Sequence, residues 1–163
     1  MACRGYFLAL DERCTARLLA CDSDDALRDV LEEFDMNADM SDECVVDKAW
    51  DGIHRCLTEG GLGSDDGTYP LNAVVLGGRH LYRGDAYIVC HNSAGEVREI
   101  AAALDEADLE QFAAVFWSLD AGDYGAYIDQ HGLTYLLDYL KDVTAFYHRA
   151  ATAGWSTVFV VDQ

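Results

Sequence analysis

Hydrophobic residues first gather at Gly5 to Leu10, an apolar and partly aromatic run that stops at Asp11. Such a run reads as a buried strand, and aspartate is a residue type that caps helix N-termini. Leu18 and Leu19 anchor a short helix after it. From about Asp24 to Phe34 the period changes, because Leu27, Val30, Leu31 and Phe34 follow the i, i+3, i+4, i+7 spacing with acids on the outer face. That spacing predicts an amphipathic helix. Asp35 to Glu43 reads as an acidic loop. A third helix is expected from a cap at Asp47 through Thr58, with Trp50, Ile53 and Leu57 on one side and Gly60-Gly61 ending it.

The second half opens on a glycine-rich stretch, GGLGSDDG, which holds Asp65 and Asp66 but no Lys or Arg. Phosphate loops need backbone donors backed by positive charge, so this stretch reads as a flexible loop. Ala73 to Leu76 and Ala86 to Cys90 are short β-prone runs. Ser93-x-x-Glu96 is a capping box that opens a helix through Leu104, and another helix is expected from about Glu106 to Trp117. Leu133, Leu136, Leu137, Leu140, Val143, Tyr147 and Ala150 then line one stripe of a long helix that ends near Gly154. Thr157 to Val161 closes the chain as a β-branched strand. This order lacks the regular strand-helix alternation of a doubly wound fold. It predicts a single α+β domain over residues 1–163, with helices packed on a small mixed β-sheet and the two terminal strands in that sheet.

Composition narrows the function classes. Thirty acidic residues against eleven basic ones give a formal charge of -19, which repels nucleic-acid phosphates and anionic membranes alike. Eleven of those acids fall between Asp22 and Asp47, where Arg28 is the one basic residue. No apolar run approaches the roughly 20 residues that span a bilayer, and the N-terminus has no signal-peptide pattern, so a cytoplasmic location is expected. The six cysteines are scattered and without C-x-x-C spacing. They read as free thiols, and neither a metal nor another cofactor is implied.

Four segments carry a resemblance: RGYFLAL at Arg4 to Leu10, DKAWDGIHRCLTEG at Asp47 to Gly60, PLNAVVLGG at Pro70 to Gly78, and YLLDYLKDVTAFYHRAATAG at Tyr135 to Gly154. Together they resemble the YfbM-like family of bacterial proteins over nearly the whole chain. The resemblance implies an α+β fold and brings no reaction with it.

Two sets of residues are candidates for function. On a helix, Trp50, Asp51 and His54 share one broad face with Asp47 and Thr58. There His54 is an acid/base or ligand-contacting group oriented by Asp51 beside the Trp50 ring, in a small-molecule enzyme or binder. The same spacing also suits a packed helix, with Trp50 in the core and His54 hydrogen-bonded inside. The second set is Asp24, Asp25, Asp29, Glu32 and Glu33, an acidic helix face suited to docking a basic protein, as an inhibitor or immunity protein does when it imitates phosphate charge. Cys90 and His91 are adjacent on a strand and so point to opposite faces. His131 and Tyr135 are one turn apart, and Tyr124, Tyr127, Tyr139, Phe146 and Tyr147 add many aromatics to this end, as in a ligand groove or a packed core.

Overall fold

Two strands from opposite ends of the chain meet at the centre of the molecule. The computed structural model describes residues 3–37 and 43–162. Strand β1 (Gly5–Leu10) runs antiparallel to β5 (Ser156–Asp162), with Phe7 opposite Phe159 and Leu8 opposite Val158. Strand β2 (Glu43–Asp47) pairs with the other side of β1, β4 (Tyr87–Asn92) with the other side of β5, and β3 (Arg79–His80) with β4. The order is β2-β1-β5-β4-β3. Every pairing is antiparallel, so the α+β class stands and the sheet is of one kind rather than mixed.

Alternation along these strands divides the core in two. Phe7, Cys90, Phe159 and Val161 face one side, and Leu8, Leu10, Val89, Val158 and Val160 face the other. Helices α1 (Glu12–Leu19) and α2 (Asp24–Asn37) cover the second side through Leu18, Leu27, Leu31 and Phe34. The first side is covered by α3 (Ala49–Leu57), α4 (Ala94–Asp105), α5 (Leu109–Ser118), the single turn α6 (Ala121–Tyr124) and α7 (Gln130–Ala153). With both faces covered, β5 has no solvent side, which is why its sequence is a continuous apolar run rather than an alternating one. No helix among the described residues is long and apolar enough to cross a membrane.

Local signals place the helix ends. Asp11 accepts a bond from the Cys14 amide at 2.7 Å, and Ser93 and Glu96 complete both bonds of the capping box. Asp129 accepts from the Gly132 amide at 2.8 Å, and Gly154 ends α7 in the left-handed region at φ 72°. Inside the core, the Tyr147 hydroxyl of α7 donates to the Val74 carbonyl at 2.7 Å, and the Asn92 side chain of β4 donates to the Ala73 carbonyl at 2.9 Å. One helix, one strand and one turn are joined there.

Three segments differ from their sequence reading. The acidic loop expected over Asp35 to Glu43 begins later, because α2 continues to Asn37 and Glu43 opens β2; residues 38–42 lie outside the described residues. Asp47 does not cap α3. It ends β2 in the left-handed region at φ 46°, and Lys48 takes the N-cap position without making a side-chain capping bond. Leu71 to Val74 forms a 3₁₀ turn where Ala73 to Leu76 had a strand-like pattern.

Helix α3 is the most enclosed element, with every residue from Ala49 to Cys56 buried. Gly52 makes its close packing possible. A Cβ at this position would collide with the Tyr124 hydroxyl of α6 and stand 2.7 Å from Leu136 of α7. Gly52→Ala is therefore expected to lower stability by about 1–3 kcal/mol in denaturant melts, the range for overpacked sites. Adding Tyr124→Phe should restore part of that loss, since the phenol oxygen is the nearest obstacle. A Gly52→Ala protein as stable as the parent would contradict this contact.

Candidate functional site

An enclosed helix must satisfy its own polar side chains, and α3 does so, His54 Nδ1 excepted, with neighbours from three directions. Trp50 is 4% exposed, and its indole N–H donates to the Cys3 carbonyl at 2.7 Å. His54 has no exposed surface, and its Nε2 lies 3.0 Å from the Gly63 carbonyl. Its Nδ1 is buried without a partner among the described residues. Thr58 donates to the His54 and Gly61 carbonyls at 2.7 and 2.8 Å. The glycine-rich segment is thus pinned onto the end of α3, and Asp66 holds it further by accepting from the Gly63 amide at 2.7 Å. Irregular backbone is present there as expected, but it is an anchored cover rather than a free loop.

Asp51 turns away from His54 toward a different group. It accepts from Arg55 Nε at 2.6 Å, and Arg55 Nη1 reaches Asp123 at the same distance. The Arg55 and Asp51 side chains are 6% and 12% exposed, whereas Asp123 is 71% exposed. A buried pair of this kind is costly to break, because either partner alone is an uncompensated charge. Trp50, Asp51 and His54 therefore share a helix face without sharing a cavity. Asp51 reaches one.

That cavity is a cleft of about 300 Å³ where the N-terminal ends of α3 and α7 meet the segment between α6 and α7. Lys48, Asp51, Tyr124, Tyr127, Asp129 and Tyr135 line it, together with His131. Gly132 permits the close approach of the segment, since a Cβ there would stand 2.7 Å from the Tyr127 carbonyl. The Tyr135 hydroxyl lies 3.4 Å from Asp47, and its ring packs edge-on against Tyr139 at 4.9 Å. Burial first, and the carboxylates of Asp51 and Asp47 second, push the Tyr124 and Tyr135 phenols up to about 12. Both rings stay neutral at physiological pH. The aromatic end noted in the sequence is thus partly a cleft, and partly core where Phe146 and Tyr147 are buried.

The acidic face of α2 lies across the sheet from this cleft. Asp25, Asp29, Glu32 and Glu33 are exposed and Asp24 is half-buried. Three of the five have partners: Asp24 accepts from the Arg83 and Gly84 amides at 3.0 Å, Asp25 pairs with Arg28 and Glu33 with Arg17, both at 2.7 Å. Arg17 also lies over the Phe34 ring and Arg28 over Tyr87. Asp29 and Glu32 take no part in the ion pairs of the described residues. They line up with Asp25 at helical spacing, and the row ends at Met36, 82% exposed.

The thiols are poor nucleophile candidates. All six cysteines are free, and burial pushes Cys44 up to about 11 and Cys56 and Cys90 to about 12. Cys90 and His91 face opposite sides, as the strand geometry requires. The histidine near the Cys90 sulfur is instead His80 at 3.5 Å, which the sequence reading missed because β3 pairs beside β4.

Buried histidines make stability depend on pH. Burial lowers the His54 and His91 pKa below the ordinary 6.5. As pH falls through 6.5 the unfolded chain takes up these protons while the folded chain does not, so stability is full above that value and declines below it. Each histidine contributes a slope of at most about 1.4 kcal/mol per pH unit. In denaturant melts between about pH 7.5 and about pH 5.5, His54→Gln should show a shallower decline than the parent. Parallel declines in His54→Gln, His91→Gln and the parent would remove both histidines as the cause.

No curated protein sequence matches the chain. Among solved structures, the protein of unknown function YfbM from Escherichia coli is similar, with a TM-score of 0.74 at 21% identity over 97% of this chain and 99% of that chain. At that identity the likeness speaks for the fold alone, and the α+β arrangement of helices on a sheet is shared. The family described as a domain of unknown function, DUF1877, matches residues 1–160, and the chain belongs to that family.

Proposed function

We propose that this chain is a protein-binding module that docks a basic protein through the acidic face of α2, in the manner of an inhibitor or immunity protein. The observation that supports this reading is the exposed row Asp25, Asp29, Glu32 and Met36. A rigid helix presents the row, because Leu27, Leu31 and Phe34 fix the opposite side of α2 in the core. Charge complementarity sets encounter rate and partner choice, and the formal charge of -19 supplies a field of the right sign. Met36 adds an apolar contact that a free cation would not use, and methionine is enriched at protein interfaces. Arg28 is bound to Asp25 of the row and Arg17 to Glu33 beside it, each laid over an aromatic ring, so Asp29 and Glu32 carry the charge of the row that stays outside these pairs.

Affinity capture from the native lysate tests this with the parent protein and with an Asp29→Lys/Glu32→Lys variant. Both positions are exposed, so the variant is expected to melt as the parent does. The parent should retain a basic protein at low salt and release it as salt rises toward 1 M, where the screening length falls to about 3 Å. The variant should retain none of it. A captured protein that is indifferent both to salt and to charge reversal would sink the reading.

A further inference from the structure

The cleft between α3, α6 and α7 is built from aromatic rings and carboxylates, and those two features select its occupant. Its volume of about 300 Å³ lies at the small end of ligand pockets, which run from about 300 to about 1,000 Å³. Tyr127 stands at the cleft 87% exposed, an unusual placement for a side chain that normally gains from burial. Its segment is held down by Tyr124, seated over Gly52, and by the close approach at Gly132. Two glycines inside helices, where glycine is less favourable than alanine, thus shape the walls.

The charges around the cleft are mainly negative. Asp51 and Asp129 line it, Asp47 meets the Tyr135 hydroxyl, and Asp123 precedes Tyr124. On the positive side Lys48 also lines the cleft, and Arg55 is held at 2.6 Å by both Asp51 and Asp123, which leaves Asp129 as the lining carboxylate outside the ion pairs of the described residues. Two helix N-termini would favour an anion. Here, however, Asp129 already accepts the Gly132 amide at 2.8 Å, and Asp51 occupies the first turn of α3. Their carboxylates complement the helix ends and repel a second anion. For a metal ion, no group of three His, Cys, Asp or Glu side chains among the described residues is arranged to hold one. An organic cation fits both features at once, because tyrosine faces attract cations and carboxylates pair with N–H donors.

We propose that this cleft binds a small organic cation, an alkylammonium or alkylguanidinium, with its charge at Asp129 and its carbon chain on Tyr127 and Tyr135. The occupant is a free molecule rather than a side chain of the partner docked on α2, because α2 covers the opposite face of the sheet. The site therefore stands or falls separately from that docking face.

Amide spectra of the ¹⁵N-labelled full chain provide the test, at constant ionic strength, with butylammonium, butylguanidinium, neutral butanol and anionic butyrate as probes. Saturable shifts at Tyr127, Gly132 and Tyr135 are expected with the two cations, and none with butanol or butyrate. Tyr127→Ala should weaken cation binding about fivefold, within the range of a cation–π contact. Asp129→Asn keeps a good helix cap while removing the charge, so its own expected loss of about fivefold is not a folding effect. Four outcomes would overturn the proposal: butanol shifting the same amides at the same midpoint, butyrate binding there, both variants binding like the parent, or an arginine-containing peptide binding where free butylguanidinium does not.

Discussion

Helix α3 is covered on every side, and much of the surrounding structure answers that constraint. A helix with a solvent face leaves its polar side chains to water; α3 has none, yet carries Asp51, His54 and Arg55. Each buried polar group must find a partner inside the protein or cost roughly 1–3 kcal/mol. Arg55 finds Asp51 within the helix and Asp123 on α6. His54 and Thr58 find carbonyls of the glycine-rich segment. Through these bonds the helix fixes where α6 sits and where the segment after α3 must fold back. The cleft follows from the first of these placements, because its wall is the α6–α7 connection that Asp123 and Tyr124 hold against α3.

Covering both faces of the sheet has a second consequence, for charge. Strands β1 and β5 take up the apolar residues of both ends of the chain, so the acids are left on helix surfaces. Where cations are available the protein holds them close, as with Arg17 on Glu33 and Phe34 and Arg28 on Asp25 and Tyr87. Exposed pairs of this kind contribute little to stability. Their effect is on the outer field, because arginines drawn down onto rings and onto Asp25 and Glu33 leave Asp29 and Glu32 exposed and outside the ion pairs of the described residues.

What could be read in the sequence was whatever a short window encodes. Strands β1 and β5, the stripe of α7 and the Ser93 capping box each carry a complete local signal, and each stands where it was read. Strand β2 was hidden because Glu43 to Asp47 is short, flanked by acids and at the sheet edge, where charge is a normal protection against further pairing. Its inward residues Cys44 and Val46 were the available signal. The run Ala73 to Leu76 is fully buried, and a buried apolar run has no period with which to separate strand from helix turn. For the site, the shared face of Trp50, Asp51 and His54 was legible from spacing. Its enclosure was not, since that depends on Asp123, which is 68 positions from Arg55, and on Leu136 beyond it. The i, i+4 spacing of Asp51 and Arg55, with a glycine between them, was the one local hint that this face was internally paired and tightly packed.

The sheet also separates the two surfaces to which roles are given. The α2 row rests on the side formed by Leu8, Val89 and Val158, and the cleft on the side formed by Phe7, Cys90 and Phe159. An occupant of one therefore does not exclude an occupant of the other by contact. Direct electrostatic coupling through solvent is also weak, because exposed charges are screened over about 8 Å at physiological ionic strength. Any influence of one surface on the other must pass through packed side chains of β1 and β5, where Phe7 meets Phe159 at 4.8 Å, Phe7 lies against Phe146 of α7 and Phe159 against Trp50 of α3. Close-packed aromatic contacts resist gradual deformation. The physical expectation is thus a rigid platform with two independent faces rather than one site that switches the other.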